Sequence, residues 1–350
     1  MIKSNVDTAL CFDDILLVPQ RSSVASRLSI NTAMIIGNGK RSIHLDLPII
    51  AAPMDTVCDI EMCIAMSNAG GLGILHRYMP YEEQVRKAKT LADGQFGFGV
   101  AIASNNGFMD QAQALYYAGV RLLLVDTANG HGKYAIDAVK ALRDKFDDVH
   151  IMAGNVATAD GFARLSDAGA DSVRVGIGGG SACTTRLVSG HGAPTLASIM
   201  DCDRWLEEFG SIGIDTCSII ADGGIRNSGD MVKAFAARAH AVMVGSMFAG
   251  TDESPGNVFI NEQGQHVKAF RGMASREAQK DATGNVSVAE GISTTIPYKG
   301  SVKNIIEEIR GGLGSGCSYS GAHNLFELSV VSRYVRVTQA SLGESRPHAL

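Results

Sequence analysis

Eight short runs rich in aliphatic and β-branched residues mark the first two thirds of the chain, at 48–54, 71–76, 98–103, 122–128, 150–156, 172–177, 218–224 and 241–247. Most recur at a spacing of about 22 to 28 residues, the length of a strand, a helix and two loops. Stretches of helical character fill the gaps at 60–69, 82–92, 109–118, 133–146, 159–169 and 229–238. The apolar runs are nearly continuous rather than alternating, as expected of parallel strands covered on both faces. Small-residue turns such as Ala118-Gly119 and Ala168-Gly169-Ala170 suit helix C-termini. Strand followed by helix eight times predicts an α/β chain folded as a single (β/α)8 TIM barrel over 1–350. A doubly wound nucleotide-binding sheet is the competing fold, but no G-x-G-x-x-G follows the first strand.

Two irregularities interrupt the rhythm. The sixth and seventh runs are separated by about twice the usual interval, and the extra length begins with Gly176-Ile177-Gly178-Gly179-Gly180-Ser181-Ala182-Cys183-Thr184-Thr185-Arg186; long loops in compact domains are usually functional. The chain also continues well past the eighth run. There a polar stretch at 275–289 reads as a mobile flap, and 301–311 as the last barrel helix.

Composition narrows the function classes. With 31 Lys and Arg against 36 Asp and Glu and no long block of one sign, nothing predicts a nucleic-acid partner. No apolar run reaches membrane-spanning length and the start lacks a leader pattern, so a cytoplasmic location is expected. Seven cysteines without a C-x-x-C pair predict reduced thiols, not disulfides or zinc.

The glycine loop presents Cys183 at the end of the sixth strand, the face where barrels keep their chemistry. Arg186 beside it would favour a thiolate; the competing reading is an inert, buried cysteine. Asp222-Gly223-Gly224 and Gly245-Ser246 end the seventh and eighth strands, where barrel loops form phosphate sites with backbone amides. A phosphorylated ligand follows. Asp222 would serve ribose hydroxyls or else cap the next helix. Asp126 and Asn155, ending strands four and five, would converge on the same mouth or act as turn residues. His76 and His131 read as core or turn residues.

Phe12-Asp13-Asp14-Ile15-Leu16-Leu17-Val18-Pro19, Pro53-Met54-Asp55-Thr56-Val57, Gly154-Asn155-Val156, the Cys183 loop, Ala221-Asp222-Gly223-Gly224-Ile225 and Arg271-Gly272-Met273 together resemble the IMP dehydrogenase and GMP reductase family. The resemblance runs in chain order from about residue 10 to residue 337. It implies that Cys183 attacks C2 of a purine mononucleotide to give a thioimidate, with Thr185 and Glu290 as a proton relay. By the same resemblance Ser181, Asp222, Gly223, Gly224, Gly245, Ser246, Gly272, Met273 and Gly291 would hold the nucleotide. Ser26, Arg27, Arg77, Asp126, Thr127, Ala128 and Asn155 would contact the dinucleotide. Backbone carbonyls of Gly176, Gly178 and Cys183 would hold a potassium ion, and the assembly would be a homotetramer.

The family divides over the fate of the adduct. A dehydrogenase oxidises IMP with NAD and hydrolyses the adduct to XMP, which requires a base for water. A reductase expels ammonia from GMP and takes hydride from NADPH to give IMP. Dehydrogenases in the family carry a long flap with an Arg-Tyr pair, the arginine being that base; here the flap is short and lacks the pair. A CBS-type regulatory insert after the second helix is also missing. Asp126-Thr127-Ala128-Asn129-Gly130 looks like the reductase sequence, whereas Ala51-Ala52-Pro53-Met54 and Gly70-Gly71-Leu72-Gly73-Ile74-Leu75-His76 look like the dehydrogenase branch. Gly179 replaces the usual loop proline, and Ser287 an arginine common in reductases. Because the chemistry depends on the base, the reductase reaction with NADPH is the expectation. Arg27 and Arg77 could pair with a 2′-phosphate or be solvated surface charges. A flavin-dependent barrel oxidoreductase would leave Cys183 without a role, and a silent nucleotide-binding regulator would show no turnover.

Overall fold

The computed structural model describes residues 8–37, 39–105, 107–209, 217–345 and 347. Eight parallel strands close into a barrel: β1 (Ile49–Ala51), β2 (Leu72–Leu75), β3 (Phe98–Ile102), β4 (Leu122–Asp126), β5 (His150–Val156), β6 (Ser172–Val175), β7 (Ser218–Asp222) and β8 (Ala241–Val244), with β8 pairing β1. Each lies inside one of the eight apolar runs. The sheet has two faces because successive side chains alternate. Ile50, Ile74, Leu124, Met152, Ile220 and Met243 fill the barrel. Ile49, Ala51, Leu123, Val125, Ile151 and Ile219 pack outward under the helices. Burying each larger side chain is worth roughly 1.5–3 kcal/mol, and these are fully buried.

The covering helices are α1 (Ile60–Asn68), α2 (Tyr81–Asp93), α3 (Phe108–Tyr117), α4 (Lys133–Lys145), α5 (Ala159–Asp167), α6 (Thr195–Phe209), α7 (Ser228–Ala236) and α8 (Val302–Ser320). Asp59, Thr158 and Asn227 cap α1, α5 and α7 through their side chains. The turns after α3 and α5 pass through glycines in the left-handed region, Gly119 and Gly169. Only four residues separate α2 from β3, so no insert interrupts the barrel there. An antiparallel hairpin, Met34–Ile36 with Ile43–Leu45, sends Ile36, Ile43 and Leu45 into the inner core.

One expectation needs correction. The last barrel helix runs to Ser320, nine residues beyond the predicted 311. Its glycines are contact points: a Cβ on Gly316 would meet Val232, and one on Gly314 would meet the carbonyl of Arg27. The polar stretch after residue 275 holds a helix, Arg276–Thr283, whose N-terminus is capped by Ser275. That segment departs from a three-stranded antiparallel sheet, Phe259–Ile260, His266–Arg271 and Ser293–Pro297, which the hydrophobic pattern does not announce. Among the described residues no helix is long and apolar enough to cross a membrane, and all seven cysteines are free.

Candidate active site

Two clusters meet at the C-terminal ends of the strands, joined by the glycine loop after β6. The first centres on the thiol. Cys183 Sγ donates to Thr185 Oγ1 at 3.3 Å, and Thr185 Oγ1 donates to Glu290 Oε2 at 2.7 Å. Backbone fixes this chain at both ends: Thr184 N donates to Glu290 O, Glu290 N to Ala274 O and Ile292 N to Ala182 O. A Cβ on Gly272 would strike Ala182 O and one on Gly291 would press on Ser275 N and Ala182 O, so their being glycine lets the loop and the end of the flap approach. Cys183 is half-buried, unlike Cys58, Cys63, Cys202, Cys217 and Cys317, which are buried. Burial pushes the Cys202, Cys217 and Cys317 thiols up. An inert core cysteine is therefore a poor description of Cys183.

Arg186 does not serve the thiol. Its guanidinium donates to Ala193 O and its side chain lies against Gly178 and Gly192, because the short helix Thr185–Val188 turns it away. The polar neighbour of the sulfur is Thr185.

The second cluster centres on Arg174, which the sequence reading did not single out. This inward-facing side chain of β6 is only 9% exposed. It donates to Asp126 Oδ1 at 2.7 Å and, through Nε and Nη2, to Asp222 Oδ2 at 3.1 and 2.8 Å. Asn155 Nδ2 bridges Asp222 Oδ2 and Gly176 O at 2.7 and 2.8 Å. Arg77 Nε donates to the other oxygen of Asp126 at 3.0 Å and stacks on Tyr78. Burial pushes the Asp126 carboxyl up, but the two guanidiniums outweigh it and hold it below the ordinary carboxylate range. The strand register explains the meeting: Arg174 pairs with Gly154 and Ile220, and Gly154 with Asp126. Asp222 is not the cap of α7, since Asn227 has that role.

The clusters touch through glycines. Gly223, in the left-handed region, packs on the backbone of Gly179 and Gly180. A Cβ on Gly176 would collide with Asp222 O. Gly224 lies beside the same loop, and Gly245 beside Met54. Asp55 N donates to Met273 Sδ at 3.4 Å, bringing the loop after β1 to the rim. Ser181 lies exposed on the loop ahead of Cys183, and Ser246 follows β8.

The residues assigned to the dinucleotide do not all gather. Asp126, Thr127 and Asn155 lie together, with Thr127 N and Oγ1 both on Gly154 O; Ala128 follows Thr127 on the same loop. Ser26 and Arg27 lie elsewhere, Ser26 capping the turn 27–29 and Arg27 donating to Ser315 on α8. His76 is buried against the Tyr78 amide and His131 pairs with Asp160, so neither joins the site. Ser287 donates to Gln279 within the flap.

A parallel barrel with a thiol, a hydroxyl and a carboxyl in hydrogen-bonded series at its C-terminal face is a barrel enzyme's site. A model of the IMP dehydrogenase / GMP reductase domain matches residues 9–348. Inosine-5′-monophosphate dehydrogenase of Nitrosopumilus maritimus is 31% identical, covering 97% of this chain and 98% of that protein. GMP reductase of Leishmania major is 32% identical, covering 97% and 96%. A GMP reductase variant from Trypanosoma brucei in complex with guanosine 5′-monophosphate has the same fold, with a TM-score of 0.90 at 30% identity over 99% of both chains. The chain belongs to the IMP dehydrogenase / GMP reductase family of oxidoreductases.

Proposed function

We propose that this protein is a purine-nucleotide oxidoreductase acting through a Cys183 adduct, and that its reaction is the NADPH-dependent reductive deamination of GMP. The Cys183–Thr185–Glu290 chain supports adduct chemistry in either direction, and the observation that carries the choice of reductase is the flap, whose sole arginine is Arg276 and which has no tyrosine. Cys183 sulfur, its proton passed through Thr185 to Glu290, bonds to C2 of GMP. The C2–nitrogen bond then breaks, with protons returned along the same chain to the departing ammonia. C2 next receives hydride from NADPH, the carbon–sulfur bond breaks, and IMP and NADP leave. In sum GMP, NADPH and two protons give IMP, NADP and ammonium, and no water needs a base.

Asp222, Gly223, Gly224, Gly245, Ser246, Ser181, Gly272, Met273 and Gly291 form the nucleotide's surroundings. The Asp222 oxygen not held by Arg174 is the one offered to ribose. Asp126, Thr127, Ala128, Asn155 and Arg77 line the dinucleotide side. Arg77 is already paired with Asp126, so NADPH as reductant rests on the direction of the reaction rather than on a free cation for a 2′-phosphate. The fit to potassium is good in kind: Gly176 and Gly178 take left-handed conformations that turn their carbonyls, and the buried Thr195 hydroxyl beside Gly176 and Gly179 lacks a partner among the described residues. The ion, held by carbonyls of Gly176, Gly178 and Cys183, would fix the loop's conformation.

The test is a pair of nicotinamide absorbance assays, GMP with NADPH against IMP with NAD, repeated with Cys183→Ala. Consumption of NADPH with GMP, abolished in Cys183→Ala, is expected. NADH accumulating from IMP while NADPH persists with GMP would establish the dehydrogenase reaction instead.

A further inference from the structure

The turn after β8 is gripped from behind by a lysine that has no acidic partner among the described residues. Lys299 follows the strand Ser293–Pro297, and its amide donates to Gly250 O, which fixes its backbone against the segment after β8. Its ammonium donates to Ser246 O at 2.7 Å and Met247 O at 3.0 Å. The carboxylates on the adjoining segment are engaged elsewhere: Asp252 accepts from Tyr298, and Glu253 from Ser301 and the Val302 amide. The neighbouring cation, Lys268 on the strand His266–Arg271, is likewise held by carbonyls, those of Thr251 and Ser254. Lys87, by contrast, pairs with Asp59 and Glu83. A half-buried ammonium bound only to neutral oxygens is an uncompensated charge, and burial alone pushes Lys299 down to about 8.

We propose that Lys299 is a positioning residue of the phosphate-binding turn, orienting its peptide groups and supplying the counter-charge to a nucleotide phosphate. This rests on the reading that a purine mononucleotide places its phosphate at Gly245 and Ser246. A trans peptide sets C=O and N–H on opposite sides. Pinning Ser246 O toward the ammonium therefore turns the Met247 N–H the other way. One cation thus sets the direction of a backbone donor and biases the turn's potential toward an anion. Binding a phosphate dianion would in turn favour the protonated lysine, so nucleotide affinity should fall as pH rises past about 8, where the free protein's ammonium is lost.

The experiment is calorimetric titration in a Cys183→Ala background, where no adduct forms. GMP, IMP and the nucleosides guanosine and inosine are titrated between about pH 7 and about pH 9.5, the nucleosides correcting for titration of the base. Lys299→Met should weaken GMP and IMP roughly tenfold near pH 7 while changing the nucleosides less than about twofold. Lys299→Arg should retain nucleotide affinity and flatten its decline above pH 8. The Lys299→Arg arm, with the parent's own pH profile, stands even if Lys299→Met does not fold. Equal nucleotide affinity in Lys299→Met and its parent, or an unchanged pH decline in Lys299→Arg, would overturn the role of Lys299. A parent that binds neither GMP nor IMP would overturn the nucleotide reading beneath it.

Discussion

Replacing Thr185 by valine removes one oxygen and keeps the shape of the side chain, which makes it a clean perturbation of the proposed relay. That oxygen receives the Cys183 proton at 3.3 Å and hands its own to Glu290 at 2.7 Å. No other hydrogen bond links the thiol to the carboxyl among the described residues, so the variant leaves a gap that neither end spans. Positioned proton transfer contributes about 10²–10⁴ in rate, equivalent to roughly 3–5 kcal/mol of barrier. Steady-state NADPH consumption with GMP should therefore lose at least about a hundredfold in kcat, with KM for GMP changed by less than about threefold because Thr185 binds no part of the phosphate turn. Glu290→Gln should show the same pattern. Since one chain of bonds is cut in either case, Thr185→Val/Glu290→Gln should be no slower than the slower single variant. A loss below about fivefold in Thr185→Val, or losses that multiply in the double variant, would refute the relay.

Two further outcomes test the scaffold beneath the site. Arg174→Met leaves Asp222 without a cation, held only by the Asn155 amide, and Asp126 with Arg77 alone, and should cost about 3–5 kcal/mol in urea unfolding; a loss under about 1 kcal/mol would show that Arg174 is not what holds these strand ends. The Asp126 carboxyl is held below its unfolded value, so its share of stability is present at neutral pH and is lost only as pH falls below about 4. His240 behaves with the opposite sense: burial pushes it down to about 4, and its Nδ1 accepts from the Ile219 amide. The unfolded chain protonates first, near pH 6.5, so stability should decline from there toward pH 4, by up to about 2 kcal/mol at pH 5. His240→Asn, which keeps an acceptor but cannot take the proton, should unfold with a smaller loss over that window; an unchanged slope would place the effect elsewhere.

The barrel was legible because its physics is local. A parallel strand covered on both faces needs an apolar run, and its return helix sets the interval to the next one. Ends of elements were harder where glycine has two meanings. Gly311, Gly312, Gly314 and Gly316 look like a stop signal in sequence, yet in α8 the last three are positions where Ser228, Arg27 and Val232 come too close for a side chain. The sheet around residues 259–297 was invisible for another reason. Its strand residues lie mostly at the surface, so no buried face stamps a two-residue period on them.

Within the site, Thr185 and Glu290 lie 105 positions apart, and resemblance alone joined them before the structure did. Arg174 has a signal of its own in the sequence: a lone cation in an apolar strand is tenable only if acids face it, and two aspartates end strands β4 and β7. Once paired, those aspartates change meaning. Asp126 is committed to Arg174 and Arg77 through both oxygens, whereas the bonds to Arg174 and Asn155 take only Oδ2 of Asp222. Of the two, Asp222 is therefore the one that keeps an oxygen clear of these bonds, and Asp126 the one that sets the arginines. The Asn155 side-chain amide also ties Asp222 to Gly176, the first residue of the glycine loop, so the end of β7 and the base of the segment that carries Cys183 share one hydrogen-bond donor. Glycine at 176 lets the ends of β6 and β7 close on each other beside the Arg174 guanidinium, and glycine at 223 lets the loop of Gly179 and Gly180 pack onto the end of β7, while the thiol stays half-open.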